Sequence, residues 1–210
     1  MIEVERVEYL NRVCYYKKTT TILHREDGPA ITYNDGEKQW WINGSLHREG
    51  GPAIICKNGT KKWYFNGKLH REDGPAIVWS DGDEEWYYKG VMHRGDGPAI
   101  INPNGREEWY VNGVLHREGG PAKVYIDGTK EWFFKGSRHR EGGPAVERAN
   151  GVKEWYKNGT RHREDGPAIE KEDALMWILE GRYYTKEAWF NSISEENQQK
   201  VLYSEYFIGG

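Results

Sequence analysis

With 210 residues, 37% hydrophobic and 30% charged, and no apolar run near the ~20 residues that span a bilayer, the chain excludes a helical membrane protein. The formal net charge of −3 gives no overall attraction to nucleic acid or anionic membrane, and the two cysteines, Cys14 and Cys56, build no disulfide framework. Ten Trp, fourteen Tyr and 26 Gly argue for a thin, turn-rich β fold that packs ring against ring, not for a thick two-layer domain.

The N-terminal stretch MIEVERVEYLNR carries acidic residues and no apolar segment, so no secretory signal is expected. A soluble protein of a reducing cytoplasm is the expectation, the host cytoplasm if the chain is phage-encoded. Residues 1–23 read as a degenerate capping unit with a strand at 13–16 and no Gly-Pro.

From residue 24 the chain repeats. All seven histidines, His24, His47, His70, His93, His116, His139 and His162, stand 23 residues apart, and each opens the phrase His-Arg-x-x-Gly-Pro-Ala. Trp40, Trp63, Trp86, Trp109, Trp132 and Trp155 keep the same step, as do the glycines from Gly36 to Gly151. Within the unit that starts at residue 53, AIICK runs to Asn58-Gly59 and KKWYF runs to Asn66-Gly67. An Asn-Gly between extended runs is a strong hairpin signal, because both residues tolerate positive φ. The second turn is Asn-Gly in four units and Lys-Gly at Lys89-Gly90 and Lys135-Gly136. Each unit thus reads as two short strands that are unstable alone and must stack, giving an all-β, elongated antiparallel hairpin ribbon over 24–169. At two strands per unit, seven units would span roughly 70 Å.

Alternation along KKWYF places Trp63 and Phe65 on one face and Tyr64 on the other. The Trp face, with Ile42, Phe65, Tyr88, Val111 and Phe134, is expected to be the core. The opposite face carries Trp41, Tyr64, Tyr87, Tyr110, Phe133 and Tyr156, accompanied by Gln39, Lys62, Glu85, Glu108, Glu131 and Glu154, and is expected to be half-exposed. After residue 169 the phrase stops. Residues 170–210 read as a C-terminal cap: MWILEGRYY at 176–184 as a last strand and turn, a helix opened by Thr185, and a second opened by Ser192 or Ser194, with Ser192 and Glu195 spaced as a capping box.

The core Trp-x-x-Asn-Gly-x-x-His, written WWINGSLH at 40–47, WYFNGKLH at 63–70 and WYVNGVLH at 109–116, resembles MORN repeats, in particular the variant repeats of bacterial, phage and large-virus proteins. Where the usual unit has Gly-x-Gly soon after the histidine, this chain has Arg-Glu-Asp-Gly-Pro-Ala. The resemblance covers residues 24–169 and implies an antiparallel ribbon used for protein–protein contact or oligomerisation. Antitoxin-like bacterial relatives and phage copies suggest an inhibitor that occludes a bacterial defence or toxin protein.

The residues expected to meet a protein partner are the half-exposed row Trp41, Tyr64, Tyr87, Tyr110, Phe133 and Tyr156, and Trp189 in the cap, since Tyr and Trp favour binding hot spots. No catalytic residue, cofactor or metal is expected. An active site is rarely built seven times in one chain, and histidines ~10 Å apart cannot share an ion whose ligands lie at 2.0–2.3 Å. The acidic positions drift, Asp27 becoming Gly50, Gly119 and Gly142, whereas His, Arg, Gly, Pro and Ala stay fixed, so the phrase reads as packing chemistry. Two other readings stand beside the binding scaffold. One is a structural or self-assembling ribbon. The other is a nucleic-acid binder or mimic, with rings to stack bases and the arginines from Arg25 to Arg163 to track phosphates.

Overall fold

The computed structural model describes residues 2–208 and is mostly β, built of successive antiparallel hairpins that end in two short helices. It divides into two compact units, Met1–Gly113 and Val114–Gly210. No helix among the described residues is long and apolar enough to cross a membrane.

The first unit opens with a hairpin of Val4–Glu8 and Arg12–Lys17, and Cys14 on its second strand faces Ile31 of the strand Ile31–Tyr33. The strand Val4–Glu8 has no counterpart in the predicted N-terminal unit. From there two-residue strands alternate across one ladder: Lys38–Gln39, Ile54–Ile55, Lys61–Lys62, Ile77–Val78, Glu84–Glu85, Ile100–Ile101 and Glu107–Glu108. The second unit repeats the pattern from Lys123–Val124 through Lys153–Glu154 to Ile169–Lys171, then adds the longer strand Ala174–Leu179 and its partner Arg182–Tyr184.

Each repeat holds two hairpins, not one, because the run KKWYF is broken at its tryptophan. Lys61–Lys62 belongs to the ladder, while Tyr64–Phe65 pairs with Lys68–Leu69 in a separate small hairpin. Trp63 is the joint: its N–H donates to the Ala76 carbonyl at 2.8 Å and its carbonyl accepts from His70 N–H at 3.1 Å. A residue whose two backbone groups serve different partners cannot continue a straight strand.

The two turns of a repeat are also of different kinds. At Asn43-Gly44, Asn66-Gly67, Lys89-Gly90 and their counterparts both residues have positive φ, as a type I′ turn requires. At Asn58-Gly59 only the glycine does, with φ +90°, and Cys56 N–H donates to the Thr60 carbonyl at 2.9 Å, the geometry of a type I turn closed by a glycine bulge. Gly105 occupies this bulge position with φ +91° and open space where a Cβ would lie. Gly105→Val therefore meets no clash, only the backbone strain of a branched residue at positive φ, and is expected to cost about 2 kcal/mol. A chemical melt that matches wild type would refute the turn assignment.

The core lies elsewhere than predicted. Phe65, Tyr88 and Phe134, expected inside, are 44%, 44% and 40% exposed, and the tryptophans of the joint are half-buried. The fully buried row is the alanine that ends each phrase: Ala30, Ala53, Ala76 and Ala99 in the first unit, Ala122, Ala145 and Ala168 in the second, all at 0% exposure. The carbonyls of Ala53, Ala76, Ala99, Ala145 and Ala168 each accept the N–H of a joint tryptophan at 2.8 Å, which holds the alanine row against the joint. Glu108, Glu131 and Glu154, expected on a half-exposed face, are buried as well.

The cap follows the predicted order. Its last turn has Glu180 and Gly181 at positive φ. Helix α1 (Lys186–Phe190) is capped by Thr185, whose Oγ1 accepts from Ala188 N–H at 3.2 Å. Helix α2 (Glu195–Ile208) starts at Ser194, whose Oγ accepts from Asn197 N–H at 3.3 Å. Ser192 forms no capping box with Glu195, because its hydroxyl instead donates back to the Ala188 carbonyl at 2.7 Å, closing α1.

Candidate functional site: the loop face of the repeats

The phrase His-Arg-x-x-Gly-Pro-Ala makes one loop, and each member has a task. In all seven copies the histidine Nδ1 accepts the backbone N–H of the first residue in the type I′ turn one repeat on, at 3.1–3.3 Å: Asn43 to His24, Asn66 to His47, and so on to Glu180 to His162. That bond satisfies a donor which the tight turn leaves without a ladder partner. It also fixes the tautomer, with the hydrogen on Nε2, toward the Glu two residues on where one is present, as at His162 and Glu164, 3.1 Å apart.

The arginine lies flat over the joint ring of its own unit, with Arg48 3.9 Å above Trp40, Arg71 4.3 Å above Trp63 and Arg163 3.8 Å above Trp155. Arg25 uses Tyr15 in the same way, since the degenerate first unit lacks the tryptophan. One terminal nitrogen donates to the proline carbonyl four residues on, at 3.1–3.4 Å in every copy. A Cβ on the phrase glycine would sit 2.7–3.1 Å from the guanidinium carbon, so glycine is required for room as the arginine folds back over it. Where the fourth position is Asp, its Oδ1 accepts from the arginine Nε at 2.7–2.9 Å, as in Asp27, Asp73, Asp96 and Asp165. These bonds hold the carboxyls of Asp27, Asp73 and Asp96 below their ordinary range. Where the position is Gly50, Gly119 or Gly142, the backbone instead takes φ of 69–72°.

The row named from sequence as the contact face is tied down. Trp41, Tyr64, Tyr87, Tyr110, Phe133 and Tyr156 are all half-buried. The hydroxyls of Tyr87, Tyr110 and Tyr156 donate to Glu85, Glu108 and Glu154 at 2.9–3.0 Å. Burial, with the bond to the neighbouring carboxylate, pushes the Tyr87 and Tyr110 phenols up to about 12. The carboxylates are met from the other side by arginines: Arg106 on Glu108, Arg138 on Glu131, and Arg148 and Arg161 together on Glu154. This half-buried face is an ion-pair and hydrogen-bond network centred on the buried carboxylates of Glu108, Glu131 and Glu154. Trp189 is likewise internal, at 0% exposure, with its Nε1 donating to the Arg163 carbonyl at 2.9 Å and its ring packed on Trp177, Leu179, Ile193 and Val201.

On the loop face Phe65, Tyr88 and Phe134 are exposed, each set between half-buried histidines. In the first unit His47, Phe65, His70, Tyr88 and His93 form a row with centroid separations of 4.7, 6.1, 5.0 and 6.5 Å. In the second, His116, Phe134 and His139 repeat it at 5.0 and 6.1 Å. Open grooves lie between successive loops of the first unit, one of about 850 Å³ walled by loops 48–52 and 70–73 and floored by Trp63, Phe65 and Tyr88. Its neighbours, of about 640 and 660 Å³, lie one repeat to either side. Fixed polar walls around exposed rings suit the docking of an extended segment more than chemistry, since every imidazole Nδ1 is already committed to a turn. Among the described residues no three His, Cys, Asp or Glu side chains converge as a metal site would need.

Neither family models nor curated proteins match this chain.

Proposed function

We propose that this chain is a non-catalytic binding protein that grips a partner protein along the loop face of its repeats. The observation that carries the reading is the row of exposed Phe65 and Tyr88 rings, interleaved with histidines and lying in grooves with rigid walls. Exposed aromatics on a preorganised surface supply contact area at low entropic cost, which is what protein hot spots use. The MORN-like phrase agrees with a contact role. The nucleic-acid alternative draws less support: four of the seven loop arginines already hold the aspartate of their own loop, Asp27, Asp73, Asp96 and Asp165, so the row as a whole cannot follow a phosphate chain. A structural or self-assembling ribbon is the competing reading that the test must separate.

The test is capture from bacterial lysate by immobilised full-length protein, the double variant Phe65→Ser/Tyr88→Ser, and the control Tyr87→Phe/Tyr110→Phe. Loss of two aromatic anchors is expected to weaken a partner by about a hundredfold or more, while the control keeps its partner although it melts lower for want of the two hydroxyl bonds to Glu85 and Glu108. Equal capture by the Phe65/Tyr88 variant would remove recognition from this face. Recovery of nothing but the protein itself would favour self-assembly.

A further inference from the structure

We propose that the groove between loops 48–52 and 70–73 receives a carboxylate of the partner protein, an Asp or Glu side chain, on the guanidinium of Arg48. The inference rests on the protein-binding reading above and specifies its chemistry.

The groove differs from its neighbours by one missing atom group. Arg25, Arg71 and Arg94 each have the aspartate of their own loop on Nε, at 2.8–2.9 Å. Arg48 has Gly50 there instead, and keeps only its stack on Trp40 and its bond to the Pro52 carbonyl. Its Nε and second terminal nitrogen have no carboxylate among the described residues. Another glycine-type loop shows how a missing aspartate can be made good: Arg140, beside Gly142, takes Glu147 seven residues on, at 2.7 Å. The residue seven after Arg48 is Ile55, so no replacement comes from its own repeat.

The surroundings favour an incoming anion. Gly50, at φ +69°, presents open space, with no atom within 4 Å of where a Cβ would be, and brings no carboxylate to Arg48 as Asp73 does to Arg71. Four cations line this groove, Lys68 and Lys89 among them, against three carboxylates, whereas two cations face three carboxylates in each neighbouring groove. A planar guanidinium already oriented by its ring and its proline carbonyl offers a carboxylate a prearranged fork. Phe65 and Tyr88 lie in the same groove to take the apolar residues that flank the acid.

The probes are pools of capped hexapeptides with one central position fixed as Asp, Asn, Lys or phosphoserine and the other positions randomised. Their retention on the immobilised full chain is measured at low and physiological salt. The Asp pool is expected to be held about tenfold or more over the Asn pool, as a charge-assisted bond contributes, and the Lys pool least. Gly50→Asp restores the HREDGPA phrase of the sister loops; once the backbone leaves the φ of +69° that glycine takes here, the aspartate seats a carboxylate on Arg48 from within and should abolish the preference. Arg48→Gln should do the same by a different route, so that a folding defect in one variant leaves the other informative. An Asp preference that survives both variants overturns the inference, as does a phosphoserine pool held above the Asp pool. Pools retained alike whatever their charge, and lost in Phe65→Ser/Tyr88→Ser, would overturn the carboxylate while keeping the protein-binding reading. Retention of no pool, together with no partner captured from lysate, would end both.

Discussion

Ala76→Leu is expected to lower the stability of the first unit by about 3 kcal/mol, at the upper end of what overpacking costs. Ala76 is 0% exposed, and its carbonyl is held at 2.8 Å by Trp63 N–H from the preceding repeat. The residue before it, Pro75, is held in turn by Arg71, which lies on Trp63. The backbone on both sides of the methyl group is therefore pinned, and the chain cannot yield to three added carbons without opening the joint between two repeats. For a unit of this size the loss corresponds to a fall in melting temperature of roughly 12 °C or more. Ala76→Ser, close to alanine in volume, should cost far less. A leucine variant within a few degrees of wild type would mean that the alanine row is not the packing centre. Ala53 and Ala99 share the environment, so their substitutions should behave in the same way.

That prediction could not have been made from sequence, although the repeat, the turns and the cap could. The 23-residue step and the Asn-Gly pairs declare themselves because each turn needs positive φ and few residue types supply it. Which face is the core was misread at Trp63. Period-2 reasoning assumes a strand that runs straight through, and two-residue strands that change partner at the joint offer no alternation to read. The burial of Glu131 was hidden for a related reason: its partner Arg138 is seven residues away and reaches it only after the second hairpin has folded back. A signal was present in the recurring Glu-x-Tyr of Glu85/Tyr87, Glu108/Tyr110 and Glu154/Tyr156, which puts hydroxyl and carboxylate side by side on one edge. The exposed row had its own mark. The position that is Ile42, Phe65, Tyr88, Val111 and Phe134 varies among internal copies, while the tryptophan two residues before it does not. Variation among otherwise strict copies is what a surface position allows and a packed joint forbids. Trp189 was misleading because a lone Trp in a non-repeating segment looks like a contact residue, and only the fold shows the Arg163 carbonyl waiting for its indole.

The second large effect belongs to Glu154 and ties the buried face to pH. Arg148 gives its Oε1 two bonds of 2.7 and 2.9 Å, Arg161 gives Oε2 two of 2.8 and 3.1 Å, and the Tyr156 hydroxyl adds another at 3.0 Å. Glu154→Ala removes the centre of this network and leaves two guanidiniums facing each other, at a cost of about 3 kcal/mol, the lower end for a broken buried pair because both arginines reach water. Burial alone would raise the Glu154 carboxyl, but the bonds from Arg148, Arg161 and Tyr156 outweigh it, and the group is held below its ordinary value of 4.5. The sign follows from proton counting. Between the folded and the ordinary value the unfolded chain binds more protons than the native one, so the contribution of Glu154 is complete above the ordinary value. It is lost as pH falls through the folded one. Glu154→Gln keeps the shape and the tyrosine bond but cannot titrate. The gap in urea midpoint between wild type and this variant should therefore be constant from neutrality to about pH 5 and close steadily in more acid solution. A gap that stayed constant to pH 3 would show that the arginines do not depress this carboxyl.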